Sequence, residues 1–201
     1  MADPELDQVA EHRAVVGSID GLLPTLREVT AGLCAAFAAG GRLYTFGNGG
    51  SAADAQHLAA ELMGRYRRAR RPLPAVALTV DPSVVTCIAN DYAYEDVFAR
   101  QVEALAGPAD VVVGFSTGGA SENVVRGLAA ARAAGAITVL FAGRDGGPAA
   151  QHADHALIVP SATTARIQEM HLLLLHVLSE GVDSWAAGTE RGETGGGGTG
   201  A

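Results

Sequence analysis

Residues 44–66 join a glycine-rich turn to two side chains suited to acid–base or metal chemistry. An apolar segment, 43–46, runs into the sequence GNGGS at 47–51, and His57 and Glu61 follow with i, i+4 spacing. That spacing places both side chains on one helix face, where they could share a divalent metal ion or a substrate proton. The glycines allow the main chain to approach a ligand closely, and the N–H groups of a helix N-terminus favour an anion such as a sugar phosphate.

A second loop of similar composition, STGGAS at 116–121, also follows an apolar segment and precedes a helix pattern. Its hydroxyls and consecutive N–H groups predict a phosphate cradle, but Ser121 could equally serve as a helix N-cap. The loop can serve as a phosphate cradle and as a helix cap at once, because a capped N-terminus still has free N–H groups. The first loop matches neither a dinucleotide fingerprint nor a Walker lysine loop, and this disfavours a nucleotide ligand.

The C-terminal helix pattern supplies further candidate ligands. Gln168 and His176 lie two i, i+4 steps apart and can share a face. Together with His57 and Glu61 they could bind a borderline metal ion if the two helices meet. His176 follows four leucines, so a core or interface position is the alternative, and His171 competes for the ligand role on the same helix. The remaining histidines are expected on the surface or in loops: His12, His152 and His155.

These side chains need a frame of alternating strands and helices. The pattern predicts an α/β fold with a parallel sheet, in which ligands lie at the carboxyl ends of the strands. A long leading helix, expected to break near 21–24, lies outside the alternation and favours contact with another subunit. Strands are predicted at 42–46, 74–79, 110–115, 136–141 and 155–159, and helices at 5–39, 51–64, 82–90, 95–106, 121–134, 147–152 and 163–186.

Composition indicates one globular domain. The chain has 201 residues, 48% of them hydrophobic, and a net charge of −8. This acidity argues against nonspecific nucleic-acid binding, and the one basic run, 65–71, is interpreted mainly as a solvated connection. No signal peptide or membrane span is expected, and two distant cysteines favour a reducing cytoplasm. The domain is expected at 1–187, followed by a disordered glycine-rich tail at 188–201.

Several motifs together resemble one known family. They are the loop and helix at 47–66, PAVALTVD at 74–81, AND at 89–91, STGGAS at 116–121, GRDGG at 143–147 and RIQEMH at 166–171. Over residues 5–186 the chain resembles sugar isomerase (SIS) domains, and within them the sedoheptulose-7-phosphate isomerase family, also called phosphoheptose isomerases. The resemblance implies a five-stranded parallel sheet in a three-layer αβα sandwich. It also implies a homotetramer with active sites shared between subunits.

The resemblance assigns site residues as well. It implies zinc as the cofactor, and a small sugar phosphate as the ligand rather than nucleic acid or a membrane. The implied zinc ligands are His57, Glu61, Gln168 and His176. The implied substrate contacts are Asn48, Gly49, Gly50, Ser51, Glu61, Arg65, Asn90, Asp91, Ser116, Thr117, Gly118, Ser121 and Gln168.

The implied reaction is aldose–ketose isomerisation of D-sedoheptulose 7-phosphate to D-glycero-D-manno-heptose 7-phosphate through an enediol. Glu61 is the expected base for the C1 proton, and His176 is the expected acid that returns or relays a proton. Zinc would stabilise the developing enediolate. Metal ligation by Glu61 and His176 would constrain their proton transfer, and the sequence leaves that conflict open.

Two parts of the chain depart from the family pattern. The common S-T-S-G-N-S reads STGGAS here, with Gly118 and Ala120 in place of a hydroxyl and an amide. Phosphate binding is therefore expected to depend more on main-chain N–H groups and the helix dipole. Ala165 replaces an aspartate often found before Arg-Ile-Gln, and this bears on recognition of the sugar hydroxyls.

Two other functions would use the same framework. Non-enzymatic relatives of this fold bind the bacterial replication initiator, and a sugar-phosphate sensor would use the same loops. Neither function needs both Glu61 and His176, and the initiator-binding relatives lack that pair. The intact pair favours the enzyme.

Overall fold

The computed structural model describes residues 4–194. The helices in this range are α1 (Pro4–Val16), α2 (Leu23–Ala38), α3 (Gly50–Met63), α4 (Pro82–Asp91), α5 (Ala99–Leu105), α6 (Glu122–Ala133) and α7 (Thr164–Thr194). The strands are β1 (Leu43–Gly47), β2 (Ala75–Ala77), β3 (Val111–Ser116), β4 (Ile137–Gly143) and β5 (His155–Val159). Short 3-10 helices cover Ile19–Leu22, Tyr94–Asp96 and Pro148–His152.

All five strands are parallel and form one sheet in the order β2-β1-β3-β4-β5. Tyr44 of β1 pairs with Val112 of β3, and Val113 pairs with Val139 of β4. The predicted five-stranded parallel sheet is confirmed. Its central strands are continuous apolar runs because helices cover both faces.

The helices form two layers around the sheet. On one face α2, α3 and α7 bury a core that includes Leu33, Leu58 and Leu174. On the other face the helices α4, α5 and α6 enclose a second core around Phe46 and Leu128. The result is the expected three-layer αβα sandwich.

The strand order reverses between β1 and β3. From β1 the chain moves outward to β2, and it then returns to the other side of β1 to form β3. In open parallel sheets this reversal leaves a crevice at the carboxyl ends of the two neighbouring strands. The two glycine-rich loops, 47–51 and 116–121, both start at that crevice.

The leading helix is broken earlier than expected. Helix α1 ends at Val16, and the Ser18 hydroxyl donates to the Val15 carbonyl at 2.7 Å. The chain then passes through a 3-10 turn into α2, which has Pro24 in its first turn. Local hydrogen bonding by serine, added to the glycine at 17, interrupts the helix before the predicted break.

The expected tail boundary is wrong. Helix α7 continues to Thr194, so the segment from Gly188 to that residue is helical instead of disordered. Ala186 is fully buried, and the Thr189 hydroxyl donates to the Trp185 carbonyl at 3.0 Å, which carries the helix past the predicted end. The rest of the predicted tail, 195–201, lies outside the described residues.

Within residues 4–194, none of the helices combines the length and the apolar character needed to cross a bilayer.

Candidate active site

A cavity of about 480 Å³ opens at the carboxyl ends of β1 and β3. Its walls come from the two predicted loops and the first turns of α7. Of the described residues around it, none carries a charge. The lining residues are Asn48, Ser51, Phe115, Ser116, Thr117, Gly118, Ala120, Ser121, Thr164 and Gln168.

Several polar groups in this cavity have no hydrogen-bond partner in the described chain. They are the N–H groups of Gly118, Ala120 and Ser121, and the hydroxyl of Thr117. Ser121 occupies the N-cap position of α6, but its side chain makes no capping hydrogen bond. Ser121 therefore occupies the predicted N-cap position without making the capping hydrogen bond. Its hydroxyl can bind an anion together with the N–H groups.

Close packing holds the second loop in place. Gly119 has φ +62°, and a Cβ there would lie 1.8 Å from the Gly146 carbonyl oxygen. The Gly119 N–H donates to the Ser116 hydroxyl at 3.1 Å, and the Gly119 carbonyl accepts from the Ala149 N–H at 3.0 Å. Only glycine fits these constraints, so the cradle is fixed before a ligand arrives.

Asn48 joins the two loops. Its amide exchanges hydrogen bonds of 2.8 and 2.9 Å with the amide of Asn123 on α6. The Tyr94 hydroxyl donates to Asn48 Oδ1 at 3.1 Å. Asn123 is a buried positioning residue for the site that the sequence analysis did not assign, because its partner lies 75 positions earlier in the chain.

Along the seam between α3 and α7, three candidate ligands converge. His57 Nε2 lies 3.0 Å from Glu61 Oε1 and 3.3 Å from His176 Nε2. Among the described residues this is the one group of three His, Cys, Asp or Glu side chains whose ligand atoms all lie within 4.8 Å of one another. The two helices therefore meet as the metal hypothesis requires.

The chemistry and spacing of this trio fit a zinc ion. Zinc binds nitrogen and oxygen at about 2.0–2.2 Å, so tetrahedral ligand atoms lie about 3.4 Å apart. The two separations around His57 Nε2 are close to that value. Two imidazoles with one carboxylate are also a typical donor set for catalytic zinc, which leaves a position for substrate.

Gln168 lies at the other end of the seam. A Cβ on Gly50 would be 2.4 Å from Gln168 Nε2, so the glycine is what admits the amide to the cavity wall. Gln168 and His176 are eight residues apart, about 12 Å along a helix. A role for Gln168 as the fourth zinc ligand stays a prediction.

The connection after α3 is anchored at Arg70, and the solvated-connection interpretation is wrong for that residue, whereas Arg65, Arg67 and Arg71 are exposed. Arg70 and Asp183 are fully buried and form an ion pair of 3.0 Å, and Asp183 also accepts from the N–H groups of Arg67 and Arg68. This places Tyr66 against His176, with ring centroids 5.8 Å apart. The arginine run thus contributes an aromatic wall beside the candidate metal ligands.

The pKa of Asp183 is shifted downward by this environment. Burial alone would raise it, but the hydrogen bonds from Arg67, Arg68 and Arg70 outweigh burial and hold the pKa below the usual range of an aspartate. Asp183 is therefore an ionised counter-charge for the buried arginine.

His171, the competing ligand, is a core residue. It is fully buried, packs edge-on against Phe141 and lies 3.1 Å from the Ala142 carbonyl through Nε2. Burial lowers the pKa of its imidazole to about 4. The neutral ring donates Nε2–H to the carbonyl, and it takes no part in the site.

Asp54 is a carboxylate near the site that the sequence analysis missed. It lies one turn before His57 on α3, and its Oδ2 is buried without a partner among the described residues. Burial raises its pKa to about 6, partly offset by the charge of His57. The i, i+3 spacing from His57 was the available signal.

Some predicted contacts lie away from the cavity in the isolated chain. The Asn90 amide donates to the Asp91 carboxylate at 2.8 Å, at the exposed end of α4. Arg65 is exposed just after α3. Their roles as substrate contacts stay predictions, as do those of Gly49 and Gly50, which the cavity lining does not include.

Known proteins are similar to this chain in sequence and in fold. The SIS domain family model matches residues 19–143. The chain is 58% identical over 144 residues to phosphoheptose isomerase of Aquifex aeolicus, 72% of this chain and 75% of that protein. It is 50% identical over 185 residues to phosphoheptose isomerase of Paramagnetospirillum magneticum, 92% and 95% of the two chains. The structure of phosphoheptose isomerase GmhA from Neisseria gonorrhoeae matches with a TM-score of 0.85 at 39% identity, over 90% of this chain and 97% of that one. The chain therefore belongs to the SIS-domain family of phosphoheptose isomerases, which are aldose–ketose isomerases.

Proposed function

We propose that this family member converts D-sedoheptulose 7-phosphate to D-glycero-D-manno-heptose 7-phosphate through an enediol. The observation that carries the proposal is the meeting of Glu61, His57 and His176 beside an uncharged cavity rich in free N–H groups. Ser51 in the cavity wall is six residues from His57, about 9 Å along α3. A seven-carbon sugar can therefore hold its phosphate in the cavity while its C1 and C2 atoms reach the trio.

In this scheme Glu61 removes the C1 proton of the ketose, and the released electron pair forms the C1–C2 double bond. His176 supplies a proton to the C2 oxygen as the carbonyl is reduced to the enediol. His176 then takes the O1 proton as the C1 carbonyl forms, and protonated Glu61 delivers a proton to C2, which gives the aldose. Tyr66, stacked on His176, keeps the imidazole oriented and limits access of water.

A zinc ion held by His57, Glu61 and His176, with Gln168 as a fourth ligand, belongs to the same proposal. When bound, zinc would supply a positive charge for the oxygens of the developing enediolate. The donor set and the spacing around His57 Nε2 support this assignment. Gly49, Gly50, Arg65, Asn90 and Asp91 enter the proposal as further substrate contacts on the strength of the family pattern.

A homotetramer is proposed on the basis of unpartnered apolar surface. Leu173 and Val177 of α7 are 36% and 43% exposed. Val177 also borders an apolar cavity of about 800 Å³ between α2 and α7. A cytoplasmic location is proposed because both cysteines are free thiols.

Binding to the replication initiator and sensing without turnover remain the alternatives. The close approach of His176 and Glu61 to the same His57 nitrogen favours catalysis, because neither alternative needs that arrangement.

Turnover and metal content, measured on one preparation, test the proposal. Zinc-loaded protein should convert sedoheptulose 7-phosphate to an aldoheptose 7-phosphate, and His57→Asn should lose zinc and activity together while remaining folded. Folded, zinc-loaded protein that forms no product would contradict the enzyme assignment and favour one of the alternatives.

A further inference from the structure

The cavity lacks a positive charge for the phosphate it is proposed to bind. A sugar phosphate near neutral pH carries close to two negative charges, and every side chain lining the cavity is neutral. Hydrogen bonds from arginine or lysine to phosphate are roughly twice as strong as those between neutral groups. An arginine within reach of the cavity would therefore strengthen phosphate binding.

Arg144, in the loop after β4, lies next to Gly118 just outside the cavity lining. A Cβ built on Gly118 would be 3.7 Å from Arg144 Nη1 and 3.9 Å from its Cζ. Those are ordinary van der Waals distances, so the guanidinium flanks the space into which a side chain at 118 would project. Gly118 itself lines the cavity and has a free N–H.

The main chain holds Arg144 in an unusual conformation. Its φ is +57°, and it is the one described non-glycine residue with a positive φ. Its N–H donates to the Ser161 carbonyl at 3.0 Å. A Cβ on Gly147, three residues later, would lie 2.6 Å from the Gly118 carbonyl oxygen, so the two loops pack closely here. An arginine is held in the left-handed region only when its surroundings determine it, and such residues concentrate at functional sites.

The guanidinium of Arg144 is exposed and has no partner among the described residues. Three other arginines form ion pairs within the structure: Arg70 with Asp183, Arg126 with Asp96 and Glu122, and Arg166 with Glu169. The planar fork of arginine suits bidentate binding of phosphate oxygens.

We propose that Arg144 is the cationic phosphate-binding residue of this enzyme, acting in the space left open by Gly118. This deepens the proposed function and rests on it. It adds a side-chain cation to the main-chain N–H groups and helix dipole on which phosphate binding is expected to depend more strongly here. It also makes Arg144 a specificity residue for phosphorylated over unphosphorylated sugars.

The test compares Arg144→Gln, Arg144→Lys and Arg144→Gly with the matched surface variant Arg132→Gln, using the zinc-loaded protein. For Arg144→Gln we expect KM for sedoheptulose 7-phosphate to rise about 10-fold to 100-fold, with a much smaller change in kcat. The Ki of inorganic phosphate should rise in parallel. The KM and Ki of Arg144→Lys should lie between those of the wild type and those of Arg144→Gln. Inhibition by unphosphorylated sedoheptulose should not change.

Arg144→Gly separates binding from folding. Glycine accepts a positive φ without strain, so this variant should unfold at a temperature no lower than the wild type and still show the weak phosphate binding. Arg132→Gln should leave both KM and Ki unchanged. If wild type turns over substrate but KM and phosphate Ki stay within about twofold in Arg144→Gln and Arg144→Gly, this proposal is wrong while the isomerase assignment stands. If wild type shows no turnover, phosphate binding by calorimetry still decides the role of Arg144.

Discussion

His57 is the residue on which the candidate metal site depends. Its Nε2 is within 3.3 Å of both Glu61 Oε1 and His176 Nε2, whereas each of those lies on a different helix from the other. If Glu61 Oε1 and His176 Nε2 bind the metal ion, Glu61 Oε2 and His176 Nδ1 are the atoms left for proton transfer, while His57 would serve only as a ligand. This division would relieve the conflict between ligation and proton transfer that the sequence leaves open.

Another residue-scale consequence concerns His171 and acid stability. Its pKa is about 4 in the folded protein because of burial, against 6.5 for the ordinary side chain. Between these values the unfolded state binds more protons, so the free energy of unfolding falls as pH falls from about 6.5 towards 4. The loss attributable to His171 should reach about 2 kcal/mol by pH 5.

Urea denaturation at pH 7 and pH 5, with wild type and His171→Gln, measures this loss. Asp54 acts in the opposite direction, because its raised pKa of about 6 makes the folded state the stronger proton binder there. It is present in both proteins, so the difference between them isolates His171. Equal pH dependence of the free energy of unfolding in wild type and His171→Gln would contradict the prediction. His152→Gln, which replaces a partly exposed histidine, serves as the control.

The connection between α3 and β2 is the element that the sequence described least well. It is tied to α7 by Asp183, which accepts from the Arg67 and Arg68 N–H groups and from Arg70 Nε. Arg70 in turn donates to the carbonyls of Glu61 and Leu62 at the end of α3. A buried ion pair thus couples α3, which carries His57 and Glu61, to α7, which carries His176.

Breaking this pair should be costly. Asp183→Asn leaves the buried Arg70 without a counter-charge, and we expect it to lower the free energy of unfolding by about 3–5 kcal/mol. Glu180→Gln removes a partly exposed partner of Arg68 on the same helix and should cost less than about 1 kcal/mol. Chemical denaturation of both variants gives the two values, and similar small losses would show that the pair is dispensable.

The sequence predicted the features set by contacts within a few residues better than those set by contacts between distant segments. The two loops and the His57–Glu61 pair follow from patterns within a few residues, and the parallel sheet follows from alternation. Tyr66, Asn123 and Arg144 acquire their positions only through contacts with segments far along the chain. The basic run looked solvated because its counter-charge, Asp183, lies 113 residues after Arg70.

At the scale of the whole molecule, the isolated chain leaves apolar surface that a partner would cover. Val177 of α7 and the cavity between α2 and α7 form one such surface. The proposed tetramer would bury it and bring neighbouring subunits close to His176, which precedes Val177 directly.

Val177→Glu should therefore weaken assembly. In light scattering coupled to gel filtration, wild type should show a mass about four times the chain mass of 20.4 kDa, and the variant a lower one. Leu105→Glu, on the opposite layer and 48% exposed, should leave the mass unchanged. A wild-type monomer, or an unaltered mass for Val177→Glu, would contradict the proposed interface.

Glu61 is proposed to remove the C1 proton of a bound ketose phosphate. NMR of zinc-loaded protein with sedoheptulose 7-phosphate in deuterated water measures this most directly. Wild type should form an aldoheptose 7-phosphate with deuterium at C2, and Glu61→Gln with its zinc content verified should form it at least about 100-fold more slowly. Undiminished product formation by zinc-loaded Glu61→Gln would contradict the account.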